Sequence, residues 1–301
     1  MQTKHSDLRM VQKYFNKISG QKLKIFQDSN VKSFQFVQNL KINELELQNC
    51  SQVSFTNPPT NITVLQITHC KLSLLNGIKY MNVIELDLSQ NEITDFSELK
   101  HLKDLKRVNI ATNDATNLRF VSQLKHIEQL IAFNNMITDI TGIQMLFALK
   151  TLNLSCNMII DLSPLEKLVQ IETLQLGQNK IVDIEAIRDL TNIQKLSIQF
   201  NQINDFSPLQ NHVNKEKYGI LQQYNPKQTS ITTSKILKQI YHSEQRVEEM
   251  YIKTHCFNNK YQRVKGFIYI LNSQIVVLNT QFINKIVLEF KQLQQFNENC
   301  Q

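Results

Sequence analysis

Residues 84–102 read IELDLSQNEITDFSELKHL, and residues 152–168 read LNLSCNMIIDLSPLEKL. Aligned on Asn91 and Asn157, the two stretches carry apolar residues at the same offsets. The frame extends well beyond them: Asn91, Asn113, Asn135, Asn157, Asn179 and Asn201 are spaced 22 residues apart. Five and three residues before these asparagines stand Leu86/Leu88, Val108/Ile110, Leu130/Ala132, Leu152/Leu154, Leu174/Leu176 and Leu196/Ile198. Two residues after them come Ile93, Ala115, Ile137, Ile159, Ile181 and Ile203. A fixed period of this length marks a repeat architecture, in which each unit buries its apolar face only against its neighbours. With slips in length the frame runs backwards through Leu65-x-Ile67-x-x-Cys70 and Leu45-x-Leu47-x-x-Cys50, where a thiol replaces the asparagine. Leu23-x-Ile25-x-x-Asp28 is a degenerate first unit, giving eight to nine units over residues 22–213.

The chemistry of one unit follows from its residues. Alternation in L-x-L is the period-2 pattern of a short strand with one buried face. The asparagine amide donates and accepts, so it can pair backbone groups left open where the chain leaves the strand. Cys50, Cys70, Asn91, Asn113, Asn135, Asn157, Asn179 and Asn201 are the expected ladder. The following apolar spacing of three suits 3₁₀ turns. Asp95, Asn117, Asp139, Asp161, Asp183 and Asp205, four residues after the ladder position, are placed to cap those turns. Strands stack at about 4.8 Å and helical segments at about 8–10 Å, so the stack curves with its strands on the concave side.

On these motifs the chain resembles the 22-residue class of leucine-rich repeats, as in the leucine-rich regulatory subunit of protein phosphatase 1 and the bacterial internalins. The resemblance implies an α/β fold, a curved solenoid with a parallel sheet inside, and protein binding through the concave face. It implies no chemistry.

A solenoid exposes its core at both ends. Leu8, Val11, Phe15 and Ile18 have helical spacing behind Ser6, so residues 1–21 are expected to form an N-terminal capping helix ended by Gly20. After Leu209 the repeat stops, because His212 takes a core leucine position. Residues 214–233 read as a polar linker and 234–301 as a C-terminal helical extension. One helix is expected from Ser234. A second is expected over 267–296, with Leu271, Ile275, Leu278, Phe282, Ile286, Phe290 and Leu293 on one stripe.

The 301 residues are 42% hydrophobic and 20% charged, a globular balance, with only 6 Gly and 5 Pro. Asn and Gln number 63, but they are interleaved with apolar residues along the whole chain, which argues against a prion-like tract. Residues 210–301 hold +6 of the net +7 charge. Their lysines are scattered, without an Arg-rich or aromatic-interleaved motif, so the balance does not point to nucleic acid. The first twenty residues lack an apolar signal region, and no stretch reaches transmembrane length. Five cysteines without CxxC spacing argue against a disulfide framework. The expected compartment is cytoplasmic or nuclear.

Between the buried strand positions, side chains point out of the concave face. Most are amides and hydroxyls. Ile131 and Phe133 are apolar and adjacent on one strand, the composition of a binding hot spot. Glu44, Glu46, Glu85 and Asp87 form an acidic strip suited to steering a basic partner, and Arg107 stands in the same rows. Phe200 extends the surface towards the C-terminal end. The plain alternatives are that Phe133 folds over the small Ala132 and that the acids are a solvated face.

No phosphate-binding loop, nucleophile elbow or zinc-protease motif occurs. His69-Cys70 and His255-Cys256 are too far apart in the repeat frame to read as a zinc set, and neither has an orienting third group for nucleophilic catalysis. No cofactor, metal or catalytic residue is expected. The expected function is a non-enzymatic scaffold that binds a protein partner through the concave face. The alternatives are a phosphatase-1 regulatory-subunit-like protein and an internalin-type adhesin. For the last, Asn61-Ile62-Thr63 and Asn153-Leu154-Ser155 are formal glycosylation sequons.

Overall fold

The computed structural model describes residues 18–212 apart from 29–30, 32–33, 35–36, 39 and 51–52, together with Tyr218–Gly219, Gly266–Leu271 and Gln274–Asn279. The chain divides into two compact units, Met1–Ile236 and Leu237–Gln301.

The first unit is built on one sheet of eleven strands whose spatial order is the chain order. β1 (Ile18–Ser19) runs antiparallel to β2 (Lys22–Phe26). β3 (Glu44–Gln48), β4 (Val64–Thr68), β5 (Glu85–Asp87), β6 (Arg107–Asn109) and β7 (Gln129–Ile131) follow. β8 (Thr151–Asn153), β9 (Thr173–Gln175), β10 (Lys195–Ser197) and β11 (Tyr218–Gly219) complete the sheet. From β2 onwards all pairing is parallel and in register, so Leu86, Val108, Leu130, Leu152, Leu174 and Leu196 stack in one row. Each strand from β4 to β10 returns through a 3₁₀ segment, from Ile78–Tyr80 to Ser207–His212. The spacing of three is thus met by tight turns.

The core lies between strands and 3₁₀ segments, a continuous column of Leu and Ile from Leu23 to Leu209. Burying each such side chain contributes roughly 1.5–3 kcal/mol relative to exposure. His212, at the position where earlier repeats place leucine, is also buried, and its Nε2 lies 3.0 Å from the Ile187 carbonyl oxygen and 3.1 Å from that of Arg188.

The asparagine ladder ties each unit to the one before it. Asn135 Nδ2 donates to the Ile110 carbonyl of the preceding repeat (3.0 Å) and to Ala132 of its own (3.2 Å), while its Oδ1 accepts the Ala115 N–H (2.9 Å). Asn113, Asn157, Asn179 and Asn201 repeat this pattern. Asn91 meets the cysteine end, accepting from the Cys70 and Leu72 amides. Cys70 Sγ in turn accepts the Cys50 N–H at 3.3 Å, and both thiols are buried. Contact with the Cys50 sulfur, then burial, push the Cys70 thiol up from its ordinary range.

The six expected caps form as Asx turns. Asp95, Asn117, Asp139, Asp161, Asp183 and Asp205 each accept the backbone N–H two residues on, at 2.7–3.1 Å. The capping group therefore sits one residue ahead of the position that precedes each 3₁₀ turn.

The helical caps are not found: the described residues contain no α-helix. Most of the expected helix over residues 6–18 lies outside the described residues, but Ile18 is a strand residue paired with Leu23, and the chain turns at Gly20 (φ +60°). The helix expected from Ser234 also lies outside them. In the second unit the expected helix over 267–296 is replaced, in its first half, by an antiparallel hairpin of β12 (Gly266–Leu271) and β13 (Gln274–Asn279). Leu271, Ile275 and Leu278 have helical spacing, but the surrounding Ile268, Ile270, Val276 and Val277 favour strands, where branched Cβ atoms pack without crowding a preceding turn.

Candidate interaction surface

The in-register sheet turns three sequence rows into three side-chain rows on its outer face. Six residues before the ladder position they run Lys22, Glu44, Val64, Glu85, Arg107, Gln129, Thr151, Thr173 and Lys195. The row four residues before contains Lys24, Glu46, Gln66, Asp87, Asn109, Ile131, Asn153, Gln175 and Ser197. Two residues before stand Phe26, Gln48, Thr68, Ser89, Ala111, Phe133, Ser155, Gly177 and Gln199.

All four expected acidic residues already have partners on neighbouring strands. Lys22 Nζ lies 3.6 Å from Glu44 and 3.2 Å from Glu46, and Lys24 Nζ lies 2.8 Å from Glu46. Arg107 pairs with Glu85. Asn109 Nδ2 donates to Asp87 at 2.9 Å, and Asp87 also accepts the Ser89 N–H. Burial opposes ionisation of Glu46, but the Lys24 and Lys22 ammoniums outweigh it and hold the carboxyl below its ordinary value. Glu44, Glu46 and Glu85 are thus paired with cations within the sheet and Asp87 is held by neutral donors, which leaves little field for steering.

Beyond Arg107 the face changes character. From β7 to β10 the three rows hold amides, hydroxyls, Gly177, the Ile131–Phe133 pair and one charge, Lys195. Ile131 is half-buried between Asn109 and Asn153, its register partners, and Phe133 is exposed to 37%. Phe200 is half-buried at the rim, three repeats along, or about 14 Å at the strand spacing. The structure therefore groups Glu44 with Glu46, groups Glu85, Asp87 and Arg107, and places Ile131 and Phe133 at the boundary between the charged and uncharged halves.

One feature escaped the sequence reading. Just past the ladder, Met136 and Met158 occupy the position one residue after the asparagine, and Ile160 and Val182 the position three after. Met158, Ile160 and Val182 are exposed, the intervening Ile159 and Ile181 are buried, and Met136 is half-buried. On the far side of the same repeats Met145, Phe147 and Val169 are exposed too. Setting out the rows after the asparagine as well as those before it exposes this signal.

Among the described residues no group of three or more His, Cys, Asp or Glu could hold a metal, and no helix is long and apolar enough to cross a membrane. A family model for paired leucine-rich repeats matches residues 147–188 and again 169–211. The chain carries leucine-rich repeats. Solved structures with the same fold include the internalin InlF of Listeria monocytogenes, 22% identical over 73% of this chain and 78% of that one, with a TM-score of 0.54. The leucine-rich repeat protein LIC12759 of Leptospira interrogans is 20% identical over 72% of this chain and 63% of its own, with a TM-score of 0.59. A plant peptide hormone receptor, RGFR1, solved in complex with RGF2, is 20% identical over 66% of this chain and 35% of that one, with a TM-score of 0.55. At these identities the likeness is one of fold. No curated protein matches the sequence. A leucine-rich repeat array of this kind is in general a protein–protein interaction module.

Proposed function

We propose that this leucine-rich repeat protein is a non-enzymatic scaffold that binds a protein partner on its sheet face, with Ile131 and Phe133 as the anchor. The observation that carries the reading is the exposure of Phe133 beside Ile131, where the rows from β7 to β10 otherwise hold amides, hydroxyls, Gly177 and Lys195. An exposed aromatic buried by a partner is worth about 2 kcal/mol or more. A preformed sheet loses little ordering entropy on binding, which leaves that gain available for affinity. Phe200 extends the contact along the array. Glu44, Glu46, Glu85, Asp87 and Arg107 shape its charged half by pairing with their neighbours, without recruiting a basic partner.

The intracellular reading is kept. It draws support from the buried, unpaired thiols of Cys50 and Cys70, which serve as reduced ladder residues. Glycan on Asn153, in the middle of the binding rows, would contradict both the compartment and the surface. The direct test is affinity capture from native lysate with wild type and with Ile131→Glu/Phe133→Glu, after circular dichroism shows the variant folded. A partner retained by wild type and lost by the variant is the expected result. Equal capture by both overturns the site.

A further inference from the structure

The apolar residues do not end at the edge of the sheet face. On one repeat Ile131 and Phe133 lead through the left-handed residue Asn134 to Met136; on the next, Cys156 leads to Met158 and Ile160; on the third, Val182 follows. Backbone bonds keep these repeats in step: the Asn134 N–H donates to the Ser155 carbonyl, the Asn135 N–H to Cys156, and the Met158 N–H to Ile137. Because the rows stack, Met136 lies beside Met158 and Ile160 beside Val182. The result is a single-file apolar diagonal that starts on the sheet face, crosses the asparagine-ladder rim and continues beyond it. Ile160 is 59% exposed, more than Phe133.

We propose that this diagonal seats an extended, largely uncharged polypeptide segment, whose apolar side chains meet Ile131–Phe133 on the face and Met158, Ile160 and Val182 past the rim. The path rests on the sheet-face reading above and adds the partner's chemistry and its exit. Three features select the occupant. The sheet face from β7 to β10 carries only Lys195, and past the rim the exposed Lys180 is offset by Asp161 and Asp183, so neither part presents a counter-charge of one sign to an acidic or basic segment. Its amides and hydroxyls both donate and accept, the complement of an open peptide backbone. The diagonal is one residue wide and advances by one strand spacing, about 4.8 Å, per repeat; an extended chain fits that width, whereas a helix of 10–12 Å diameter does not. A glycan is a poorer fit, since Met, Ile and Val offer no hydrogen bonds and Phe133 is the one stacking platform on the diagonal.

The probe is a random-peptide phage library panned on the full chain, followed by affinity measurements on synthetic copies of the selected peptides at low and high salt. The expected peptides are neutral with spaced apolar residues, and their affinity changes less than threefold between the two salt conditions. Met158→Ser/Ile160→Ser and Ile131→Ser/Phe133→Ser are each expected to weaken them tenfold or more while leaving the circular dichroism spectrum unchanged. Weakening by the face pair alone overturns the rim path and leaves the sheet-face reading standing. Weakening by the rim pair alone, or by neither, overturns both. Charged consensus peptides with a steep salt dependence, a glycan-array signal in place of peptide binding, or no selected binder each overturn the proposed occupant.

Discussion

The residue just before each ladder position is left-handed: Gln27, Asn49, His69, Gln90, Thr112, Asn134, Cys156, Gln178 and Phe200 have φ between 52° and 58°. Non-glycine residues other than Asn and Asp pay roughly 1–2 kcal/mol there, and a β-branched side chain is the worst placed. Thr112→Asn is therefore expected to stabilise the protein by about 1 kcal/mol, read as an upward shift of the urea midpoint. Phe200 bears the same strain on a bulky side chain at the rim. Glu46 illustrates charge at the same scale. Its folded pKa lies below the unfolded value, so the stability it confers is present above about pH 4.5 and is lost as pH falls through the lower folded value. Glu46→Gln should cost about 0.5 kcal/mol at pH 7 and nothing at a pH below that folded value, as pH-resolved urea titrations would record.

At the scale of the turn, two glycines have opposite meanings. A Cβ on Gly142 would lie 1.9 Å from the Leu118 carbonyl oxygen of the preceding repeat, a backbone atom that cannot turn aside. On Gly177 it would meet only the end of the Gln199 side chain. Gly142→Ala is expected to cost roughly 2 kcal/mol or more, and Gly177→Ala less than about 0.5 kcal/mol, measured by thermal melts of the two variants side by side. The strands, ladder and Asx turns were legible because each is fixed by a local pattern repeated in every unit, so one noisy copy such as Leu130-x-Ala132 is corrected by its neighbours. The ends have no such redundancy. Leu271, Ile275 and Leu278 satisfy a helical spacing and a strand composition at once, and pairing with the preceding strand decides in favour of the hairpin. The ion pairing of the acidic strip was hidden for a related reason: reading Glu44 and Glu46 along their own strand sets aside Lys22 and Lys24, which registry brings beside them from β2.

For the molecule as a whole, the ladder is the device that couples repeats, and a stack in which each unit touches only its neighbours responds to a defect according to its position. Asn135 is buried in the middle of the array. Replacing it by Ala leaves the buried Ala115 N–H without an acceptor and removes the amide that reaches back to Ile110. An orphaned buried donor costs about 1–3 kcal/mol, and the lost amide volume adds to it. Asn201 makes the same bonds, to the Ile181 N–H and the Leu176 carbonyl, but is only half-buried near the end of the described array. Water reaches the groups it would orphan, and the failure touches fewer packed repeats. Asn135→Ala is therefore expected to cost about 3 kcal/mol and to broaden or split the urea transition, because the repeats on either side lose their coupling. Asn201→Ala should cost about 1 kcal/mol with a single transition of unchanged slope. Equal costs for the two would mean that the asparagines act as independent turn caps, and that cooperativity along the array resides in the stacked leucines alone.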